Sequence, residues 1–324
     1  MKKTFLLTIA FAFVCILGAN YANAQTAEDA NNEFNKAREL SKTDLIAAVS
    51  QLEKALDMAK KVGETANPVK DEIVKVIANW QFNGAATYIK ANDLAKAAQA
   101  YEKSLELAKL YGDKETEKSA KDQLVMVYIA DGNDLLSKNA TNEAFGAFDK
   151  ALKINPEEAK IYLSRSQAYK ATKDDAKMEA DLEKAIELAT KANDLETATS
   201  AKKVLGVSYL NDSFSDLKAK KYQEVIDKAS KSNEYTGGHA MAYYAIANAS
   251  NALKKYNEAI EAANKGLELS KDQPDEKVAR FYYELASAYF AKKDTENACA
   301  NYKKANFGPY AQACKAQLTN LKCN

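Results

Sequence analysis

One short phrase recurs along this chain and constrains its fold more than any other feature. A small residue is followed four positions on by a bulky or apolar one, and three beyond that by another small one. The phrase reads Ala97, Tyr101, Ser104 in one place, Ala144, Phe148, Ala151 in another and Ala298, Tyr302, Ala305 in a third. Positions i, i+4 and i+7 lie on one face of an α-helix but not on one face of a strand. Seven copies can be traced, starting at Ala48, Ala97, Ala144, Met178, Val225, Ala259 and Ala298. Their last positions are Ala55, Ser104, Ala151, Ala185, Ser232, Gly266 and Ala305, small in every copy. Small residues there let helix backbones cross closely, and bulky residues such as Leu52, Tyr101, Phe148, Leu182 and Tyr302 fill the groove beside the crossing.

Nine residues before the phrase an aromatic often stands (Tyr88, Tyr169, Tyr289), with a small residue three before it (Ala85, Ser166, Ala286). Polar turns such as Ala91-Asn92-Asp93, Thr172-Lys173-Asp174 and Lys292-Lys293-Asp294 separate the halves, and Asp or Asn there caps the following helix. Each unit is a helix, a short turn and a second helix. Only 11 Gly and 4 Pro in 324 residues fit that scheme and argue against a turn-rich all-β fold. Copies are 34 residues apart at Ala144–Met178 and Val225–Ala259 and further apart elsewhere. The extra residues, as over Leu107–Gln123, are charged and helix-favouring and are expected to lengthen helices.

These residues resemble the tetratricopeptide repeat family, whose pattern is a helix pair of about 34 residues with small residues at the crossings. Gly132 to Pro156 matches best, with Ala144, Phe148, Ala151 and Pro156 all in place, and the resemblance extends over residues 30 to 324. Unit 1 lacks the upstream Tyr and small residue, and unit 5 is degenerate. The resemblance implies an all-α solenoid, a right-handed superhelix of about seven helix pairs closed by a capping helix over 309–322, after the break at Gly308-Pro309. It also implies a groove, lined by the first helices, that takes a peptide or a partner helix. Carrying the register over places Phe214, Tyr244, Asn248, Arg280, Tyr283 and Phe290 there in the C-terminal half. In the middle it places Met126, Ile129, Asn133, Lys160, Gln167 and Lys170. The family's carboxylate clamp is not reproduced: Asn133 and Asn248 occur, but Ile129 and Tyr244 stand where its Lys would be. Tyr244, Tyr283 and Phe290 could equally be packing residues inside the array.

The N-terminus has the three-part pattern of a secretory signal: Lys2 and Lys3, the uncharged apolar run Phe5–Gly18, and Ala22-Asn23-Ala24 before Gln25. The run is too short to span ~30 Å of hydrocarbon comfortably. Val14 before Cys15 is not the small residue a lipobox needs, so residues 1–24 are expected to leave and 25–324 to form the mature array. Cleavage removes Lys2 and Lys3, which moves the formal charge from +1 to one net negative charge. No later segment is a long uncharged apolar run. The expected destination is the periplasm or envelope of a Gram-negative bacterium, or the medium.

Three cysteines remain after cleavage: Cys299, Cys314 and Cys323. On one helix, Cys314 and Cys323 would be roughly 13 Å apart at ~1.5 Å per residue, beyond the ~7 Å between Cα atoms that a disulfide tolerates. Cys299 is then the common partner of any bridge, and geometry alone does not choose between the other two. The likeness to exported bacterial repeat proteins that end in a Leu-Lys-Cys-type tail implies Cys299 with Cys323. Three free thiols are the alternative.

Signals for catalysis are lacking. The single His, His239, follows Gly237-Gly238 at a helix start and is expected to cap or face solvent; one His allows no multi-His metal site. No phosphate loop or nucleophile elbow appears, and carboxylate pairs such as Asp174-Asp175 are expected on solvated helix faces. The near-zero charge argues against a nucleic-acid partner. The expectation is a non-catalytic exported scaffold without metal or cofactor that binds a protein or peptide. The alternative is a binder of a small molecule or glycan in the same groove. Homo-oligomerisation is left open.

Overall fold

The computed structural model describes residues 25–323. The leader expected over residues 1–24 lies outside them. The described residues are helices and turns, divided into two compact units that meet in sequence at Glu157/Glu158. The first unit holds three helix pairs: α1 (Ala27–Leu40) with α2 (Leu45–Val62), α3 (Asn67–Lys90) with α4 (Leu94–Tyr111), and α5 (Lys114–Ser137) with α6 (Thr141–Ile154). The second holds four: α7 (Ala159–Thr172) with α8 (Asp175–Lys191), α9 (Leu195–Lys218) with α10 (Tyr222–Thr236), α11 (Ala240–Ala252) with α12 (Tyr256–Glu268), and α13 (Asp275–Ala291) with α14 (Thr295–Lys304). A 3₁₀ turn, Gly308–Tyr310, leads into a last helix, α15 (Ala311–Asn320).

The repeated phrase is what each pair packs around. All three of its positions are buried in all seven copies, from Ala48, Leu52 and Ala55 to Ala298, Tyr302 and Ala305. The small residues sit where backbones or rings come closest. A Cβ on Gly266 would run into the ring of Phe281, and one on Gly132 into the ring of Phe148. Ser104 combines smallness with a bond, its hydroxyl donating to the Ala78 carbonyl at 2.9 Å.

The turns follow the sequence closely. Asp44, Asp93, Asp113, Asp174, Asp194 and Asp294 each accept from the backbone N–H three residues on, satisfying a donor that a helix start would otherwise leave open. The residue before the cap is often left-handed: Asn92, Lys173, Asn193 and Lys293 have φ between 56° and 64°. His239 is also a cap, its Nδ1 accepting from the Met241 N–H at 3.2 Å. The long intervals are taken up by helix, since α3, α5 and α9 have 24 residues each. Within Leu107–Gln123 a turn at Gly112-Asp113 separates α4 from α5, because Gly112 takes the left-handed αL conformation.

In each unit the first helices of successive pairs also touch: α1 with α3 and α3 with α5, then α7 with α9, α9 with α11, and α11 with α13. They form one face of the unit and the second helices the other. The C-terminal helix is shorter than the expected 309–322. It begins only after the 3₁₀ turn carrying Pro309 and ends before Leu321, with Lys322 left-handed at φ 54°. Cys323 therefore lies beyond the helix, not on it beside Cys314. That frees it to reach back, and its Cα is 5.6 Å from that of Cys299, inside the disulfide window. Cys314 is fully buried, and burial pushes its thiol pKa up. No described helix is long and apolar enough to cross a membrane.

Candidate partner-binding face

The first-helix face of the second unit gathers five of the positions that the repeat register assigns to a groove. Phe214 comes from α9, Tyr244 and Asn248 from α11, and Arg280 and Tyr283 from α13. Tyr244 is the centre. Its ring stacks on Phe214 at 6.4 Å, meets Phe281 edge-on at 6.1 Å, and carries the Arg280 guanidinium 5.6 Å above its centroid. Its hydroxyl lies 3.5 Å from that of Tyr310. Burial, aided by Tyr310, pushes the Tyr244 phenol pKa well up, so it stays a neutral donor. Tyr283 continues the cluster, 5.0 Å from Tyr310 and 6.1 Å from Tyr302. Six rings from α9, α11, α13, α14 and the 3₁₀ turn thus form one patch.

The polar groups on this patch are not spent alike. Arg280 donates Nε to the Lys277 carbonyl at 3.2 Å and Nη1 to Met241 Sδ at 3.1 Å, and pairs with no carboxylate among the described residues. A stacked, half-buried guanidinium without a counter-ion keeps donors for an acceptor from outside. Asn248 donates Nδ2 to Glu284 at 2.7 Å, and Asn251 donates to the same carboxyl at 2.8 Å. Glu284 is almost fully buried and has no cation at ion-pair distance among the described residues; desolvation raises its pKa despite the two amides.

The other expected positions lie apart from this patch. Phe290 is exposed near the end of α13, two helical turns beyond Tyr283. Lys160, Gln167 and Lys170 are exposed along α7. In the first unit Asn133 and Met126 are exposed on α5, whereas Ile129 is buried among core residues and does not face a groove. Sequence reasoning missed Met241, Asn251, Glu284 and Tyr310. Glu284 had a signal, since a carboxylate falls on the apolar stripe Phe281, Leu285, Ala288 of α13. Tyr310 had none, because the repeat register ends before the cap.

Clefts between neighbouring helices lie outside this patch. A cleft of about 470 Å³ is lined by Asn233, Tyr243, Glu258, Glu261 and Lys265, and one of about 440 Å³ in the first unit by Leu105, Lys109, Tyr128, Lys150 and Ile154.

With this geometry in hand, comparison with known families is decisive about the repeat. The tetratricopeptide repeat model matches residues 82–109, 159–191, 240–273 and 279–306. These four segments of the chain are tetratricopeptide repeats. The matched segments include both helices of the pairs α7–α8, α11–α12 and α13–α14, so Tyr244, Asn248, Arg280 and Tyr283 all belong to tetratricopeptide repeats. Gly132–Pro156 falls outside the matched segments, although α5 and α6 repeat the same packing. A search of curated protein sequences finds no match. Among solved structures, a MamA protein is 20% identical over 60% of this chain and 94% of that one, with a TM-score of 0.38. YrrB, described as a TPR protein with an unusual peptide-binding site, is 18% identical over 60% and 90%, with a TM-score of 0.36. The P58(IPK) TPR domain is 16% identical over 91% and 97%, with a TM-score of 0.31.

Proposed function

We propose that this protein is a non-catalytic scaffold that binds a protein or peptide partner on the first-helix face of α9, α11 and α13. The observation that carries this reading is Arg280: a cation without a counter-ion among the described residues, stacked on Tyr244 in a patch of six rings. Arg and Tyr in such a setting are the residue types that anchor protein interfaces. The rings supply apolar area at little entropic cost, and the guanidinium supplies directed donors. Repeat proteins present such faces on a rigid frame, which spares a partner the cost of ordering the site.

We also read the chain as exported, to the periplasm or envelope of a Gram-negative bacterium or to the medium. The support is the Lys2-Lys3, Phe5–Gly18 and Ala22-Asn23-Ala24 pattern. An oxidised Cys299–Cys323 pair fits such a compartment.

The test is quantitative affinity capture from envelope extract with the wild-type protein and Arg280→Ala, both checked for helicity. A partner held by the wild type and lost from the variant is the expected result. No Arg280-dependent partner, together with a thermal shift from a sugar or other small molecule, would move the reading to the small-ligand alternative.

A further inference from the structure

The face formed by α11 and α13 holds a group that partner binding as described above does not use. Glu284 is 3% exposed on the buried stripe of α13. Its two carboxyl oxygens are held by two amides from α11. Asn248 Nδ2 donates to Oε1 at 2.7 Å, while Asn251 Nδ2 donates to Oε2 at 2.8 Å and to the Glu284 backbone carbonyl at 3.0 Å. The titratable and charged groups around it are Tyr244 from α11, Arg280 and Tyr283 from its own helix, and Tyr302 from α14, with Tyr310 and Cys314 of the cap behind Tyr283. The α12 helix meets α13 through Ala262, Ala263 and Gly266, none of which titrates. No cation is at ion-pair distance from Glu284 among the described residues, so its charge is balanced by amide dipoles alone.

A carboxylate accepts hydrogen bonds and cannot donate one. While Glu284 is ionised, both amides must turn their NH₂ groups toward it. The Asn248 oxygen then points away, at a half-buried position on the patch, and a chain bound there meets an acceptor. A protonated carboxyl has one donor as well. Asn251 is tied twice, to the carboxyl and to the backbone, and turning it over would break both bonds. Asn248 is tied once, to Oε1. A proton on Oε1 can therefore donate to the Asn248 oxygen once that amide turns over, which sends the Asn248 NH₂ outward.

We propose that Glu284 is a positioning residue for this face: its proton state sets whether Asn248 offers a bound chain an oxygen or an N–H. With Glu284 ionised the face suits a partner N–H at this point, and with Glu284 protonated a partner carbonyl. The consequence for binding rests on the partner-binding reading above, but the switch itself belongs to the free protein. The raised proton affinity that burial gives Glu284 brings the change closer to neutral pH.

The test is an NMR titration of the free full-length chain, following the Glu284 side-chain carboxyl carbon and the side-chain amides of Asn248 and Asn251, beside Glu284→Gln. The expected result is a Glu284 midpoint above that of the exposed glutamates. The Asn248 NH₂ signals should shift at the same midpoint and lose protection from solvent exchange on the acid side, while Asn251 keeps its protection. Gln, like the protonated acid, has one donor group and one acceptor, so the variant should show the acid-side Asn248 signals at every pH. Asn248 signals that ignore the Glu284 titration, or that look the same in the variant as in the wild type at neutral pH, would overturn the proposal. The wild-type titration decides alone if the variant fails to fold. A failed Arg280-dependent capture would remove the partner and leave this switch standing, so the two readings fail separately.

Discussion

Glu284 shows how much a single side chain can set at the residue scale. Its carboxyl takes up a proton more readily in the fold than in the unfolded chain, where the ordinary value is 4.5. The folded state then binds the extra proton, so stability falls as pH rises from that value through the raised one, and levels off above it. Glu284→Gln removes the buried charge and can still bond both amides. It should raise stability at neutral pH by about 1 kcal/mol or more and flatten the pH dependence of the urea midpoint; an unchanged slope would contradict this. Gly266 makes the opposite case. Replacing it with Ala gains up to about 1 kcal/mol of helix propensity, but the new methyl meets the fully packed ring of Phe281. Overpacking costs about 1–3 kcal/mol, so denaturant titration should show Gly266→Ala less stable. Both residues were legible in part. Gly266 was marked by the small position of the repeat. Glu284 could be seen as an acid on an apolar stripe, but its amide partners, 33 and 36 residues away, could not.

Elements explain why the helix pairs were readable throughout and the end of the cap was not. A pair is specified locally: an aspartate cap, a left-handed turn residue and small residues at fixed spacing, each of which acts within a few positions. The cap depends instead on where the chain lands after Gly308-Pro309. Helix α15 has only 10 residues, and its one fully buried side chain is Cys314. Isolated helices that short are marginal in water. The Cys299–Cys323 link, if formed, closes a separation of 24 residues and ties the far end of α15 to α14. Cys323→Ser should therefore lower stability by about 2–4 kcal/mol and speed hydrogen exchange over residues 311–321 well before α11 or α12 is affected. Equal exchange in the two proteins would show that packing alone holds the cap. The sequence expectation put Cys323 on the helix, because nothing local announces that the helix stops before Leu321.

At the scale of the whole molecule, the repeat makes stability a sum of near-neighbour terms. Phe148→Ala empties a fully buried site, at a cost of about 3–5 kcal/mol. Hydrogen exchange should rise in α5 and α6, with α13 and α14 keeping wild-type protection; uniform loss across the chain would contradict a repeat in which contacts stay local. The all-α repeat architecture could be read from spacing alone, since seven copies of one phrase leave few other folds. The candidate face was legible only as register positions, and the structure distributes them unevenly. It gathers Phe214, Tyr244, Asn248, Arg280 and Tyr283 into one patch, leaves Lys160, Gln167, Lys170 and Phe290 elsewhere on first helices, and adds Tyr310 from outside the register. The measurement that bears most directly on the account is the affinity of a captured partner for the wild type, for Arg280→Ala on the first-helix face and for Lys265→Ala on the second-helix face. The account predicts about a tenfold or greater loss with Arg280→Ala, the size of an interface anchor, and no loss with Lys265→Ala. Equal binding by wild type and Arg280→Ala, with loss in Lys265→Ala, would place the partner on the other side of the array and contradict it.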